Sequence, residues 1–166
     1  MKSPYAGLRF ATVAAAFLMV AACSSTDTTG NAGGAGSSTS TVQPGTQADL
    51  VANVGDRVFF DLDKSTLKDE GKATLQRQAA WAQKYPNLTF TIEGHADERG
   101  TREYNLALGG RRATAAKDFL VANGVDASRL KTISYGKERP VCLESNEDCW
   151  AQNRRAVTVV AEGAGS

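Results

Sequence analysis

The stretch Glu93-Gly94-His95-Ala96-Asp97-Glu98-Arg99-Gly100-Thr101, followed closely by Tyr104-Asn105, gathers more chemically capable side chains than any other part of this 166-residue chain. His95 is the single histidine. Glu93 and Asp97 stand two residues to either side of it, so an extended backbone would place all three on one face. Carboxylate beside imidazole is a minimal general acid–base pair. A hydrolase also needs an activated nucleophile or a bound metal, and no Ser, Cys or second His stands in a recognisable relation to His95. The residues therefore point away from an enzyme and toward a hydrogen-bonded structural histidine, with neither metal nor cofactor expected.

The second candidate is a binding site for a charged ligand. Asn105, Leu108, Arg112 and Ala116 are spaced three or four apart, and on a helix they fall within roughly an 80° arc. Arg112 lies near the edge of the face that also carries Phe119. A guanidinium held against apolar packing needs an anion or another acceptor, and Asp97, at the head of the same helix, is a candidate neighbour. Two plainer roles stand beside the functional one: Asp97 as the helix cap, and Arg112 as a bridge to Asp97.

These residues need elements to hold them. Arg57-Val58-Phe59-Phe60-Asp61 reads as a short strand of β-branched and aromatic residues. A helix is predicted over about 68–85, with Leu75, Ala79 and Ala82 on one face and a stop at Pro86. Leu88 to Glu93 alternates at period two, as a strand with one buried face does. A second helix spans about 102–122 and closes on Asn123-Gly124, a pair suited to a left-handed C-terminus. Strands follow at 130–135 and 156–161. The order strand, helix, strand, helix, strand, strand, with right-handed crossovers, places both helices on one face of the sheet. The expected fold is an α/β (α+β) two-layer sandwich with a mixed four-stranded sheet, occupying residues 51–163.

The N-terminal part follows different physics. Lys2 and Arg9 precede an apolar run, Phe10 to Ala22, which is short for a transmembrane helix of about 20 residues and reads as an export signal over 1–22. Val20-Ala21-Ala22-Cys23 resembles the bacterial lipobox, which implies acylation of Cys23 as the first mature residue. Ser24 follows it, and the absence of Asp there fits enteric-type sorting to the outer membrane. Residues 23–50 are rich in Ser, Thr, Gly and Ala and cannot bury a core. They are expected to form a tether of about 90 Å at full stretch. With Cys23 taken by lipid, Cys142 and Cys149 remain as one pair in an oxidising exported compartment, and a disulfide between them is expected. Their spacing is not the redox Cys-x-x-Cys form. The net charge of +1, with acidic and basic residues interspersed, offers no basic block for a nucleic-acid backbone.

Asn105-x-x-Leu108-x-x-x-Arg112-Ala113 resembles the helix motif of the OmpA-like domain, with Gly109 in place of the Ser often found after the leucine. The preceding Gly-His-Ala-Asp-Glu-Arg-Gly-Thr is similar to the peptidoglycan-associated lipoprotein branch of that family, and the order lipobox, tether, domain matches it along the whole chain. The resemblance implies non-covalent binding of the peptidoglycan stem peptide, at its zwitterionic diaminopimelate. It implies that Asp97 pairs with the ligand ammonium and Arg112 with its carboxylate, and that Phe60, Asp61, Arg99, Thr101, Asn105 and Leu108 line the pocket. It further implies the propeller protein TolB and the Tol system as partners, with a role in holding the outer membrane to the wall during cell division. A module serving mainly to dock periplasmic proteins is the alternative.

Overall fold

The computed structural model describes residues 42–161; the export signal, Cys23 and most of the expected tether lie outside the described residues. Among the described residues, helical structure is already present before residue 51. Thr46 caps a short helix α1, Gln47–Asp49, which runs into a π-helical turn, Leu50–Val54. Leu50 is fully buried in the core. Asp49 is fixed by Gly45 N–H, the Asn53 amide and the Trp81 indole, and the Gln47 side chain pairs with the backbone at Val160 and Thr158. A polar segment thus belongs to the fold because its own side chains meet buried backbone groups, and the folded unit begins N-terminal to residue 51.

Strand β1 (Arg57–Phe59) leads through a long turn to α2 (Asp69–Lys84), then β2 (Phe90–His95), α3 (Arg102–Ala122), a 3-10 turn (Ala127–Arg129), β3 (Leu130–Gly136), α4 (Glu147–Asn153) and β4 (Arg155–Val160). Asp69 and Glu70 at the start of α2, and Lys84 in its last turn, oppose the helix dipole at both ends. The sheet order is β1-β4-β2-β3; β4 is antiparallel to both neighbours and β2 is parallel to β3. The mixed four-stranded sheet and the α+β class are as expected.

One cluster joins the layers. Leu75, Ala79, Trp81 and Ala82 of α2 and Ala113, Ala116 and Leu120 of α3 pack on Val58, Phe90, Ile92, Leu130 and Ala156 of the sheet. Alternation along β2 buries Phe90 and Ile92 against the helices, leaving Thr91 and Glu93 on the other face. Where α3 crosses β2 the backbones approach so closely that a Cβ on Gly94 would run into the Gly109 carbonyl. That approach sets the depth at which Arg112, one turn further along α3, enters the protein.

The stretch between β3 and β4 is more than a stapled loop. It contains α4, capped by Asn146, whose Oδ1 accepts the Cys149 N–H at 2.9 Å. The Cys142–Cys149 disulfide is formed, with the two Cα atoms 5.0 Å apart. The Asn153 side chain ties the start of this stretch to its end, accepting from Val141 and Cys142 N–H and donating to the Cys142 carbonyl.

Candidate functional site

Four chain segments meet at one edge of the sandwich: the turn after β1, the segment between β2 and α3, the body of α3, and the α4–β4 junction. Their centre is Asp97, 4 % exposed. Its Oδ1 accepts from the backbone N–H and the Nε of Arg99, at 3.1 and 3.2 Å. Its Oδ2 accepts from Arg99 Nη2 at 2.6 Å and from Arg154 Nη1 at 3.3 Å. Burial pushes the Asp97 carboxyl up, but these hydrogen bonds outweigh it and hold the group below the ordinary carboxylate range. Asp97 does not cap α3; Thr101 does, accepting the Tyr104 N–H at 3.2 Å.

Arg112 is fully buried, and its guanidinium lies 5.3 Å from the Phe60 ring centroid. It forms no ion pair with Asp97, contrary to the bridge considered from sequence. Instead Nε donates to Lys64 O at 2.9 Å, Nη1 to His95 O at 2.8 Å and Nη2 to Asp61 O at 3.1 Å. The guanidinium gathers three backbone carbonyls and has two N–H groups beyond those bonds. Burial pushes its pKa down to about 10, Asp97 opposing the shift and Arg154 adding to it, so the group stays cationic at neutral pH.

The other expected residues divide into those the fold brings into this network and those it leaves beside it. Phe60 is buried beneath Arg112, and Asp61 contributes its carbonyl while its half-exposed carboxylate pairs with Lys68 at 2.9 Å. Arg99 is held by Asp97 and by the Trp150 ring, 4.0 Å from its Cζ. Asn105 is buried and donates to the Arg99 carbonyl at 2.7 Å. Leu108 is buried one turn before Arg112, and Thr101 is an exposed cap.

Arg154 was not singled out from sequence, yet it is 6 % exposed and joins three parts of the site. Nε donates to Phe60 O at 3.0 Å, Nη1 to Asp97, and Nη2 to Glu147 at 2.5 Å. The signal was present in Asn153-Arg154-Arg155, two arginines heading a strand that otherwise reads as core. Glu147 and Trp150 were missed with it, because α4 was not recognised behind the cysteines.

His95 is 2 % exposed, and its ring faces away from the helices. Neither ring nitrogen has a hydrogen-bond partner among the described residues, Nε2 lies 3.6 Å from a Glu93 oxygen, and Tyr135 stacks at 5.5 Å. The hydrogen-bonded histidine expected from sequence is thus a buried one without such bonds. Glu93 shares its face as expected, but Asp97 lies past the end of β2 and belongs to the arginine cluster.

Residues 59–155, which carry the mixed sheet from the end of β1, the helices packed on it and the edge with Asp97 and Arg112, match the model of the OmpA family. The chain is 62 % identical over 80 % of its length to the peptidoglycan-associated lipoprotein of Agrobacterium fabrum, covering 72 % of that protein. It is 56 % identical over 90 % of its length to that of Rhizobium meliloti, covering 85 % of it. The crystal structure of the peptidoglycan-associated lipoprotein from Burkholderia pseudomallei is 43 % identical, with a TM-score of 0.62, over 64 % of this chain and 90 % of that one. The C-terminal domain of Helicobacter pylori MotB shares the fold at 20 % identity and a TM-score of 0.60, over 64 % of this chain and 84 % of that one. The chain belongs to the OmpA family and, within it, to the peptidoglycan-associated lipoproteins.

Proposed function

We propose that this protein is a lipoprotein of the bacterial outer membrane, acylated at Cys23 after removal of residues 1–22, whose periplasmic domain grips peptidoglycan without covalent chemistry. The ligand is the diaminopimelate of the stem peptide, whose free end carries one ammonium and one carboxylate. The observation that carries the reading is that Asp97 and Arg112 stand at one edge of the fold without bonding each other: a buried carboxylate held ionised, and a buried guanidinium with two N–H groups beyond its carbonyl bonds. The ligand ammonium takes acceptor positions on Asp97 that Arg99 fills here, Arg99 being the more exposed of its two arginine partners at 33 %. The ligand carboxylate takes the remaining N–H groups of Arg112. Phe60 and the Asp61 carbonyl hold the Arg112 guanidinium and Asn105 holds the Arg99 carbonyl; with Arg99, Thr101 and Leu108 they line the proposed pocket. Binding rather than catalysis is the reading that the relatives' names support. Partnership with TolB and the Tol proteins, and a part in envelope integrity and division, rest on the family alone.

The test is sedimentation with purified peptidoglycan, alongside thermal unfolding. Asp97→Ala leaves a ligand ammonium unpaired in a desolvated site, so binding falls by roughly 2–5 kcal/mol, about thirtyfold or more. A folded Asp97→Ala protein that sediments like wild type overturns the clamp. Arg112→Lys keeps the charge but cannot serve three carbonyls in the geometry of a planar fork. It is therefore expected to lose binding and also to melt earlier, by an amount corresponding to about 2–4 kcal/mol. No wall fragments are released in either case.

A further inference from the structure

Both arginines that hold Asp97 are backed by α4. We propose that the stretch closed by the Cys142–Cys149 disulfide is a wall of the binding site, and that Glu147 is a positioning residue acting on Asp97 through Arg154. The proposal rests on the diaminopimelate reading above. Arg154 is a planar fork with one acceptor on each nitrogen: Phe60 O, Asp97 and Glu147. Two acceptors leave such a fork free to pivot about the line joining them; the third fixes its plane. Glu147 supplies that third bond and stands 3.7 Å from Arg99 Nη1, while Trp150 covers the Arg99 guanidinium and its indole N–H donates to Glu98 at 2.9 Å.

Glu147 is 62 % exposed. An ion pair so open to water contributes little to folding, so fold stability gives weak reason for a carboxylate here, whereas orienting a buried arginine gives a strong one. The disulfide places it: Cys149 is buried on α4 and linked to Cys142, and Asn153 bonds back to the same stretch. The chain from disulfide to α4 to Glu147 to Arg154 to Asp97 is continuous in covalent and hydrogen bonds.

The experiment is calorimetric titration of the full chain with a purified diaminopimelate-containing stem tetrapeptide over a range of pH. The proteins compared are wild type, Glu147→Ala, Glu147→Gln, Asp97→Ala and, as an exposed neighbour on α4, Asp148→Ala. Glu147→Ala is expected to weaken binding roughly five- to tenfold with a melting temperature within about 2 °C of wild type. Its binding should fail at higher pH on acidification, because a pivoting Arg154 no longer holds the Asp97 carboxyl down. Glu147→Gln, which keeps an acceptor oxygen, recovers part of the affinity, and Asp148→Ala binds as wild type. If Glu147→Ala binds within about twofold of wild type while Asp97→Ala does not bind, the positioning role is wrong and the clamp stands. Weakened binding without a shifted acid limb or recovery by Gln reduces Glu147 to a structural residue and also overturns the role. Wild-type binding by Asp97→Ala removes both the clamp and the role.

Discussion

His95 presents its carbonyl to Arg112 at 2.8 Å and hides an imidazole without hydrogen bonds on the other side of the sheet. Burial pushes that imidazole down to about 4, with Arg155, Arg139 and Arg57 adding to the effect. Between the ordinary value of 6.5 and about 4, the unfolded chain therefore takes up a proton that the folded chain refuses. Stability falls as pH falls through that window, by up to about 3 kcal/mol, and is unaffected by this group above it. Denaturant titrations at pH 7, 5.5 and 4 should show a steeper acid loss for wild type than for His95→Gln; equal losses would mean that His95 takes no part. Asp97 and Arg112 were singled out by the resemblance of their motif to the helix motif of the OmpA-like domain; their spacing by itself left a helix cap and a mutual bridge open as well. Their partners were not legible. Arg112 reaches carbonyls of Asp61 and Lys64, 51 and 48 residues away in the chain, and no local pattern encodes a backbone acceptor at that distance.

The contact between β2 and α3 is built on two glycines, Gly94 and, facing it, Gly109. A Cβ there would meet the Ser134 Oγ, which bonds to the Leu106 carbonyl, and would press on the Gly94 carbonyl. The Ser134 hydroxyl can rotate away, but the β2 backbone cannot. Gly109→Ser is thus expected to cost about 1–3 kcal/mol, read as a lowered denaturation midpoint, with Gly109→Ser/Ser134→Ala recovering only the part due to Ser134. The long helices and the alternating β2 strand could be placed from periodicity to within two residues, because each buries a regular face. Helix α4 was hidden for the opposite reason. Its seven residues bury little beyond Cys149 and Asn153, so its signal lay in Asn146 and the acidic pair after it, an N-cap with a dipole-matched first turn.

At the scale of the whole chain, no helix among the described residues is long and apolar enough to cross a membrane, and the proposed anchor is the acyl group on Cys23. Cys23→Ala should therefore leave the protein exported but in the soluble periplasmic fraction; extraction only by detergent would contradict acylation at Cys23. The N-terminal boundary was read late because residues 43–50 look like the polar segment before them, and only the packing of Leu50 and the bonds of Gln47 and Asp49 reveal that they belong to the domain. That clip has a mechanical meaning. Gln47 grips β4 at Val160 and Thr158, while Arg154, bonded to Asp97 of the proposed site, stands just ahead of its first residue. β4 is flanked by β1 on one side and β2 on the other. Tension arriving from the N-terminal side and resisted at the proposed clamp would run lengthwise along one interior strand, shearing two rows of hydrogen bonds at once instead of peeling them apart singly, a geometry that resists pulling.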